Sequence, residues 1–340
     1  MSPPAVSILL PVFNAGATLS RTLASLQAQT FSDWELIAVD DGSTDASPRL
    51  LAAAADADPR IHVLSQPHRG IVAALNAGLT DTRAPLIARM DADDECLPER
   101  LARQTAWLAT HPEIGVCATQ VRFGGNASRS CGYALHVEWT NGLVAPEAIA
   151  LNRFVESPMA HPSVMFRREL VERLGGYHDD PAWPEDYELW LRWMDAGVRF
   201  GKVPEALVVW HDPPGRLSRT HLRYAVEAFY ACKCHYLARW LRREIEPGRP
   251  LFLRGAGRPT RRRFASLVAE GVELAGYVDV DPRKIGGRAA GLPVLAPTAL
   301  PPAAECFIIV GVGTRGAREI IRRELLAQNR CEGRDFLLAA

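Results

Sequence analysis

Between Val6 and Met90 the chain alternates short apolar β-rich runs with stretches of helical period, and this alternation constrains the fold more than any other feature. Val6 to Phe13, Trp34 to Val39, Ile61 to Leu64 and Leu86 to Met90 read as strands. Thr18 to Gln29, with Leu19, Leu23 and Leu26 on one face, reads as a helix, as do Pro48 to Ala57 and Ile71 to Leu79. Strands that alternate with helices must pair mainly in parallel, because a parallel neighbour needs a long crossover that covers a sheet face. Ligands of such sheets bind beyond the carboxyl ends of the strands. The polar residues after Phe13, Val39 and Met90 should therefore converge on one crevice.

The fourth run stops at Asp91-Ala92-Asp93-Asp94, three carboxylates in four residues. Packed carboxylates repel and raise each other's pKa unless a positive charge sits among them. Hard oxygen ligands suit Mg²⁺ or Mn²⁺, and these in turn suit a diphosphate; the plainer alternative is a solvated turn. The second strand closes on Val39-Asp40-Asp41-Gly42-Ser43-Thr44-Asp45. Gly42 allows a tight turn and Ser43 or Thr44 a helix cap, but capping does not explain two consecutive carboxylates. One of them is available to a nucleobase or ribose. At the first strand end Phe13 could stack on a base and Asn14 begin the turn, or both could be structural. Arg69-Gly70 and Asn76 lie between the third and fourth strands.

Later in the chain Gly124 to Val155 loses regular pattern and reads as loop-rich. Ser163 to Phe166 and Ala206 to Trp210 read as strands, Tyr187 to Ala196 and Tyr224 to Arg243 as helices. Glu185-Asp186 precedes the first of these helices, where a carboxylate pair complements the helix dipole. Glu246 to Pro250 breaks the pattern, which divides the chain into domains 1–245 and 249–340. The second domain restarts with a strand at Leu251 to Arg254, then Gly255-Ala256-Gly257 and a helix from Thr260. Another strand, Val272 to Val278, ends at Asp279, and Cys306 to Val310 runs into Gly311-Val312-Gly313. Gly255 and Gly257 form half of a dinucleotide fingerprint, with Asp279 where a ribose-binding acid would sit; the third glycine position is lost.

Lys+Arg and Asp+Glu both total 39, so charge points to no nucleic-acid partner. No run approaches the roughly 20 apolar residues of a bilayer span, and Met1-Ser2-Pro3-Pro4 carries no basic leader. Seven scattered cysteines suit a reducing cytoplasm, and Cys232-Lys233-Cys234-His235 matches no common zinc spacing and reads as helix.

Three blocks, "SILLPVFNAGATLSRTLASLQAQTFSDWELIAVDDGSTD", "RGIVAALNAG" and "LIARMDADDECLPERL", resemble an inverting family 2 glycosyltransferase of the GT-A fold. "HPSVMFRREL", "LGGYHDD", "PEDYELWLRW" and "VVWHDPPGRLS" extend the likeness to near residue 240. The resemblance implies a GT-A α/β fold, a mostly parallel central sheet flanked by helices, with a small Rossmann-like α/β domain appended. It implies that Pro11, Phe13 and Asp41 hold the donor nucleotide, with Asn14, Arg69, Asn76 and Asp91 completing that set. Asp91 and Asp93 match the DxD that binds the diphosphate through Mn²⁺ or Mg²⁺, Asp94 a further acid, and His211 a third metal ligand. Asp186 matches the catalytic base, while His161, Tyr177 and Glu185 fall on the acceptor side. The implied reaction moves a sugar from a nucleotide-sugar donor to a hydroxyl of a glycan or lipid-linked acceptor in bacterial surface polysaccharide biosynthesis. The implied place is the cytoplasm, at the inner face of the membrane in peripheral contact. The appended domain, with Gly255, Gly257 and Asp279 as ligand candidates, would recognise or regulate. Two other readings are a sugar-phosphate nucleotidyltransferase, for which Pro11 to Gly16 lacks a Gly-rich triphosphate loop, and a nucleotide-sugar sensor without activity.

Overall fold

The computed structural model describes residues 3–126, 130–213, 215–314 and 316–340. The chain forms two compact units, each built on one sheet.

The first unit comprises residues 1–149, 158–181 and 196–220. Its strands are β1 (Val6–Val12), β2 (Trp34–Asp40), β3 (Ile61–Ser65), β4 (Leu86–Arg89), β5 (Glu95–Cys96), β6 (Ile114–Phe123), β7 (Met165–Arg167) and β8 (Arg199–Trp210). They lie in the order β3-β2-β1-β4-β7-β6-β8-β5. The first four are parallel, as the alternation of strand and helix requires. β7 is antiparallel to both β4 and β6 and marks where the parallel portion ends.

Helix Leu19–Gln27 buries Leu19, Leu23 and Leu26, the predicted stripe, against Ile8, Leu10 and Val12 of β1. Each such leucine contributes about 1.5–3 kcal/mol when fully buried. Helix Ile71–Asp81 covers the opposite face, where Ala74 packs on Ile37 and Val39. Its Gly78 is a close-approach residue, since a Cβ there would lie 2.3 Å from Leu9 Cδ1. Register pairs Val12 with Asp40 and Leu9 with Arg89, so the carboxyl ends of β1, β2 and β4 open on the same edge. The stretch after Gly124 is more regular than its sequence suggests, with helices Cys131–Gly142 and Pro146–Asn152. The first buries only Val137 and Thr140, too sparse a stripe to register as a helical period.

The second unit comprises residues 150–157, 182–195 and 221–340. Its strands are β9 (Leu251–Arg254), β10 (Gly276–Val278), β11 (Arg288–Ala289), β12 (Leu292–Leu295), β13 (Phe307–Val310) and β14 (Phe336–Leu338), ordered β11-β12-β10-β9-β13-β14. All neighbours are parallel except β11 with β12. This division differs from a single cut near Pro247-Gly248. Helices Glu185–Asp195 and Val226–Glu244 place Tyr187, Leu191, Leu237 and Leu241 in one core with Leu253, Phe264, Phe307 and Ile309. A Pro/Gly break marks a turn in the chain, not the edge of a core. Cys232 and Cys234 are buried on the long helix, as helical packing residues.

Candidate active site

β4 ends at Arg89, and the next turn carries the acidic cluster. Ligand oxygens of Asp91, Asp93 and Asp94 lie within 4.8 Å of one another. The turn is held from outside by helix Leu19–Gln27: Thr18 Oγ1 donates to Ala92 O at 2.9 Å, and Thr22 Oγ1 to Ala92 O and Asp94 O at 3.0 and 2.8 Å. It is held from beneath by Arg89, fully buried, whose Nη2 donates to Asp91 Oδ1 at 2.6 Å. Asp94 is 1% exposed; its Oδ1 accepts from His211 N at 2.7 Å, while its buried Oδ2 has no hydrogen-bond partner among the described residues. Burial, and then the charge of Asp91, pushes the Asp93 carboxyl up. Burial with the charges of Asp91 and Asp93 pushes Asp94 up further, and Arg216 opposes both shifts. An orphaned buried oxygen inside a mutually repelling carboxylate set fits a hard divalent cation. Among the described residues this is the group of acidic side chains so arranged.

The nucleotide side of the sequence reading centres on Asp41, which follows β2 and is 2% exposed. Its Oδ1 accepts from Arg69 N at 3.0 Å and Gln66 Nε2 at 2.6 Å, and its Oδ2 from Gly70 N at 2.8 Å. His68 Nδ1 lies 2.8 Å from the same Oδ2, and its ring stacks on Phe13 at 4.0 Å between centroids. Gly42 has φ 76°, and a Cβ there would meet His68 N at 2.7 Å, so only glycine fits this turn. Asn14, at φ 49°, accepts from Thr44 N at 2.9 Å and shapes the turn. Pro11 lies in β1 and Phe13, 46% exposed, just beyond it. The exposed Arg69 guanidinium makes no hydrogen bond or ion pair among the described residues.

The remaining candidates divide. Asn76 clips the backbone of Tyr177 with two bonds, Nδ2 to Tyr177 O at 2.8 Å and Tyr177 N to Oδ1 at 3.0 Å. Tyr177 Oη lies 2.7 Å from Nε2 of buried His161, whose pKa burial and then Arg89 hold below the usual range. The His211 ring faces Glu95, Nε2 to Oε1 at 2.7 Å, and only its backbone N–H reaches the acidic cluster. In the second unit Asp186 lies in the first turn of helix Glu185–Asp195 and accepts from Tyr187 N at 2.7 Å. Buried Glu185 accepts from Tyr224 Oη at 2.7 Å. There too Asp279 is tied by Ala256 N and Lys284 Nζ, both at 3.0 Å. Sequence reasoning missed Arg89, His68 and Arg216. Arg89 sat inside an apolar run, and only the fold turns Arg216 toward Asp93 and Asp94.

The carboxyl edge of this α/β sheet gathers the Asp41 loop and the acidic cluster, where ligands of open α/β sheets bind. Solved structures share this fold, among them the following. TarS from S. aureus, in complex with UDP-GlcNAc, aligns with TM-score 0.54 at 17% identity over 79% of this chain and 71% of that one. The mannosyltransferase PcManGT from Pyrobaculum calidifontis, in complex with GDP-Man and Mn²⁺, aligns with TM-score 0.51 at 21% identity over 80% and 70%. The fold is GT-A, as the sequence resemblance implies. Residues 7–175 match the family model described as Glycosyl transferase family 2. The amylovoran biosynthesis glycosyltransferase AmsE of Erwinia amylovora is 31% identical over 206 residues, 59% of this chain and 74% of AmsE. The chain belongs to glycosyl transferase family 2, and is a transferase. No helix among the described residues is long and apolar enough to cross a membrane.

Proposed function

We propose that this transferase moves a sugar, with inversion at the anomeric carbon, from a nucleotide-sugar donor to a hydroxyl of a surface glycan or its lipid-linked precursor. The observation that carries this reading is the acidic cluster beside the Asp41 loop on one sheet edge, with the orphaned Asp94 oxygen inside it. The relatives support it: AmsE serves polysaccharide biosynthesis, and the two solved neighbours hold nucleotide sugars.

Asp91 and Asp93, with Asp94 behind them, would hold Mn²⁺ or Mg²⁺, which compensates charge on a departing diphosphate. Asp41 and Phe13 would receive the nucleoside, Asp41 by accepting hydrogen bonds and Phe13 by stacking. Because the four bonds to Asp41 come from the 66–70 loop, nucleoside entry at this carboxylate exchanges some of them. Arg69 and Arg216 bring positive charge to the same edge and favour the donor's anionic part. Asp186 would take the proton of the acceptor hydroxyl as it attacks. Attack by the acceptor itself needs no enzyme nucleophile, and a single displacement inverts the anomeric centre. His161 and Tyr177, a buried pair joined Nε2 to Oη, would lie on the acceptor side. We place the enzyme at the cytoplasmic membrane face, where a lipid-linked acceptor would be presented. A scintillation assay with labelled UDP- and GDP-sugars, a lipid-linked acceptor extract and Mn²⁺ tests the reading. Transfer that needs both metal and acceptor is expected; nucleotide-sugar formation from a sugar phosphate and a triphosphate would replace it with the nucleotidyltransferase reading.

A further inference from the structure

The sheet of the second unit has its own switch point. From β9 the chain adds β10 and then β12 on one side, and returns to place β13 and then β14 on the other. All five strands are parallel, and the order reverses between β9 and β13. Ligands of open parallel sheets bind at such a point, outside the carboxyl ends. Register pairs Arg254 with Val310, so two glycine loops leave the sheet at the same level there: Gly255-Ala256-Gly257 and Gly311-Val312-Gly313.

The glycines of these loops are of two kinds. The inner pair is required by the fold. Gly255 has φ 115°, and a Cβ at Gly311 would lie 2.7 Å from Phe264 and 2.9 Å from Leu253. The outer pair is not. Gly257 has φ −63°, open to any residue, and a Cβ there would meet nothing nearer than Pro259 at 3.7 Å. A Cβ at exposed Gly313 would meet Arg263 Nη1 at 3.1 Å, the movable tip of a long side chain. Neither conformation nor packing demands a bare backbone at these two positions, whereas close approach of a ligand does.

The charge beside the loops gives the ligand's sign. Arg263 reaches over Gly313; Arg318 donates from Nε to Ala340 O at 2.8 Å, just past β14. Lys233, 3% exposed, donates to Ala339 O at 3.2 Å and Val155 O at 2.7 Å. Burial pushes the Lys233 ammonium down to about 8, with Arg318 and Arg263 adding repulsion and Glu156 opposing. Asp279, at the end of β10, spends its carboxylate on Ala256 N, Asp281 N and Lys284 Nζ, so recognition falls on the anionic group and not on a ribose hydroxyl.

We propose that the two glycine loops carrying Gly257 and Gly313 bind the phosphate of a phosphorylated ligand, a nucleotide or a sugar phosphate, at a site separate from the donor site of the first unit. The proposal does not depend on the transferase reading.

Hydrogen exchange on the full chain tests it, in excess EDTA with 1 mM UDP in one arm and glucose 1-phosphate in the other, at concentrations on the order of a weak metabolite site. At least one should protect amides 255–258 and 311–314, and the arm that protects identifies the source of the phosphate. Gly257→Asp and Gly313→Asp place a carboxylate where the structure has room; each should keep its circular dichroism and weaken the protecting ligand about tenfold or more. Protection of neither loop by either ligand overturns the proposal, and so does equal binding by both folded variants.

Discussion

Arg89 Nη2 lies 2.6 Å from Asp91 Oδ1, and the arginine that makes this bond is wholly inaccessible to solvent while the aspartate is a quarter exposed. A buried guanidinium is thus placed under a partly buried acidic cluster. It fixes one oxygen of Asp91 and, through its charge, also opposes the upward shift at Asp93. Arg89→Lys keeps the charge but loses the fork that bonds Met90 O and Asp91 together. Initial rates in a metal titration should fall about 10–100-fold in kcat/KM. Wild-type kinetics in Arg89→Lys would show that the pair is only structural.

Asp93→Ala removes an oxygen from the cluster and also relieves its repulsion. Turnover should be lost, and so should the stabilisation by Mn²⁺ seen as a thermal shift with nucleotide sugar. Without metal the variant should melt no lower than the wild type. Activity that survives excess chelator would dismiss the metal assignment.

Asp186→Asn preserves shape and removes basicity. Donor affinity should hold while kcat falls by on the order of 10²–10⁴. Single-turnover transfer at saturating donor separates the two quantities. A collapse of donor affinity at unchanged kcat would assign Asp186 to binding.

Lys202, 2% exposed, donates to Thr140 O and, at 3.4 Å, to Pro158 O. Burial pushes its pKa down to about 7 from 10.5. Between these values the unfolded chain holds a proton that the folded chain has released. Stability should therefore rise with pH across that window, by up to about 1.4 kcal/mol per pH unit from this group. Urea midpoints at pH 7, 8 and 9 should climb in the wild type and be flatter in Lys202→Met. The same climb in both would place the dependence elsewhere.

Truncation after Pro247 tests the packing of the second unit. Tyr187, Leu191, Leu237 and Leu241 share a core with the strands that such a cut removes. Losing those neighbours costs several kcal/mol for each large side chain left uncovered, on the order of a Leu→Ala change. The truncated chain should be insoluble or should melt far below the full chain. A soluble, donor-binding fragment would restore the single boundary near residue 247.

The elements nearest the chemistry were legible in the sequence because each announces itself locally. Leu19, Leu23 and Leu26 fall on one helical face; Trp34 to Val39 and Leu86 to Met90 are apolar runs that end in acids. Parallel pairing follows from the alternation, and convergence of the acids from the pairing. What the sequence left undecided depends on residues distant in the chain. That Asn76 clips Tyr177 and His68 sits on Phe13 is settled by packing across the sheet edge. So is the turning of the His211 ring to Glu95. The core that binds Glu185–Asp195 and Val226–Glu244 to the second sheet was hidden for the same reason. Local period tells a helix which face to bury; the partner for that face is chosen by the surface left open elsewhere, and only the folded chain presents it.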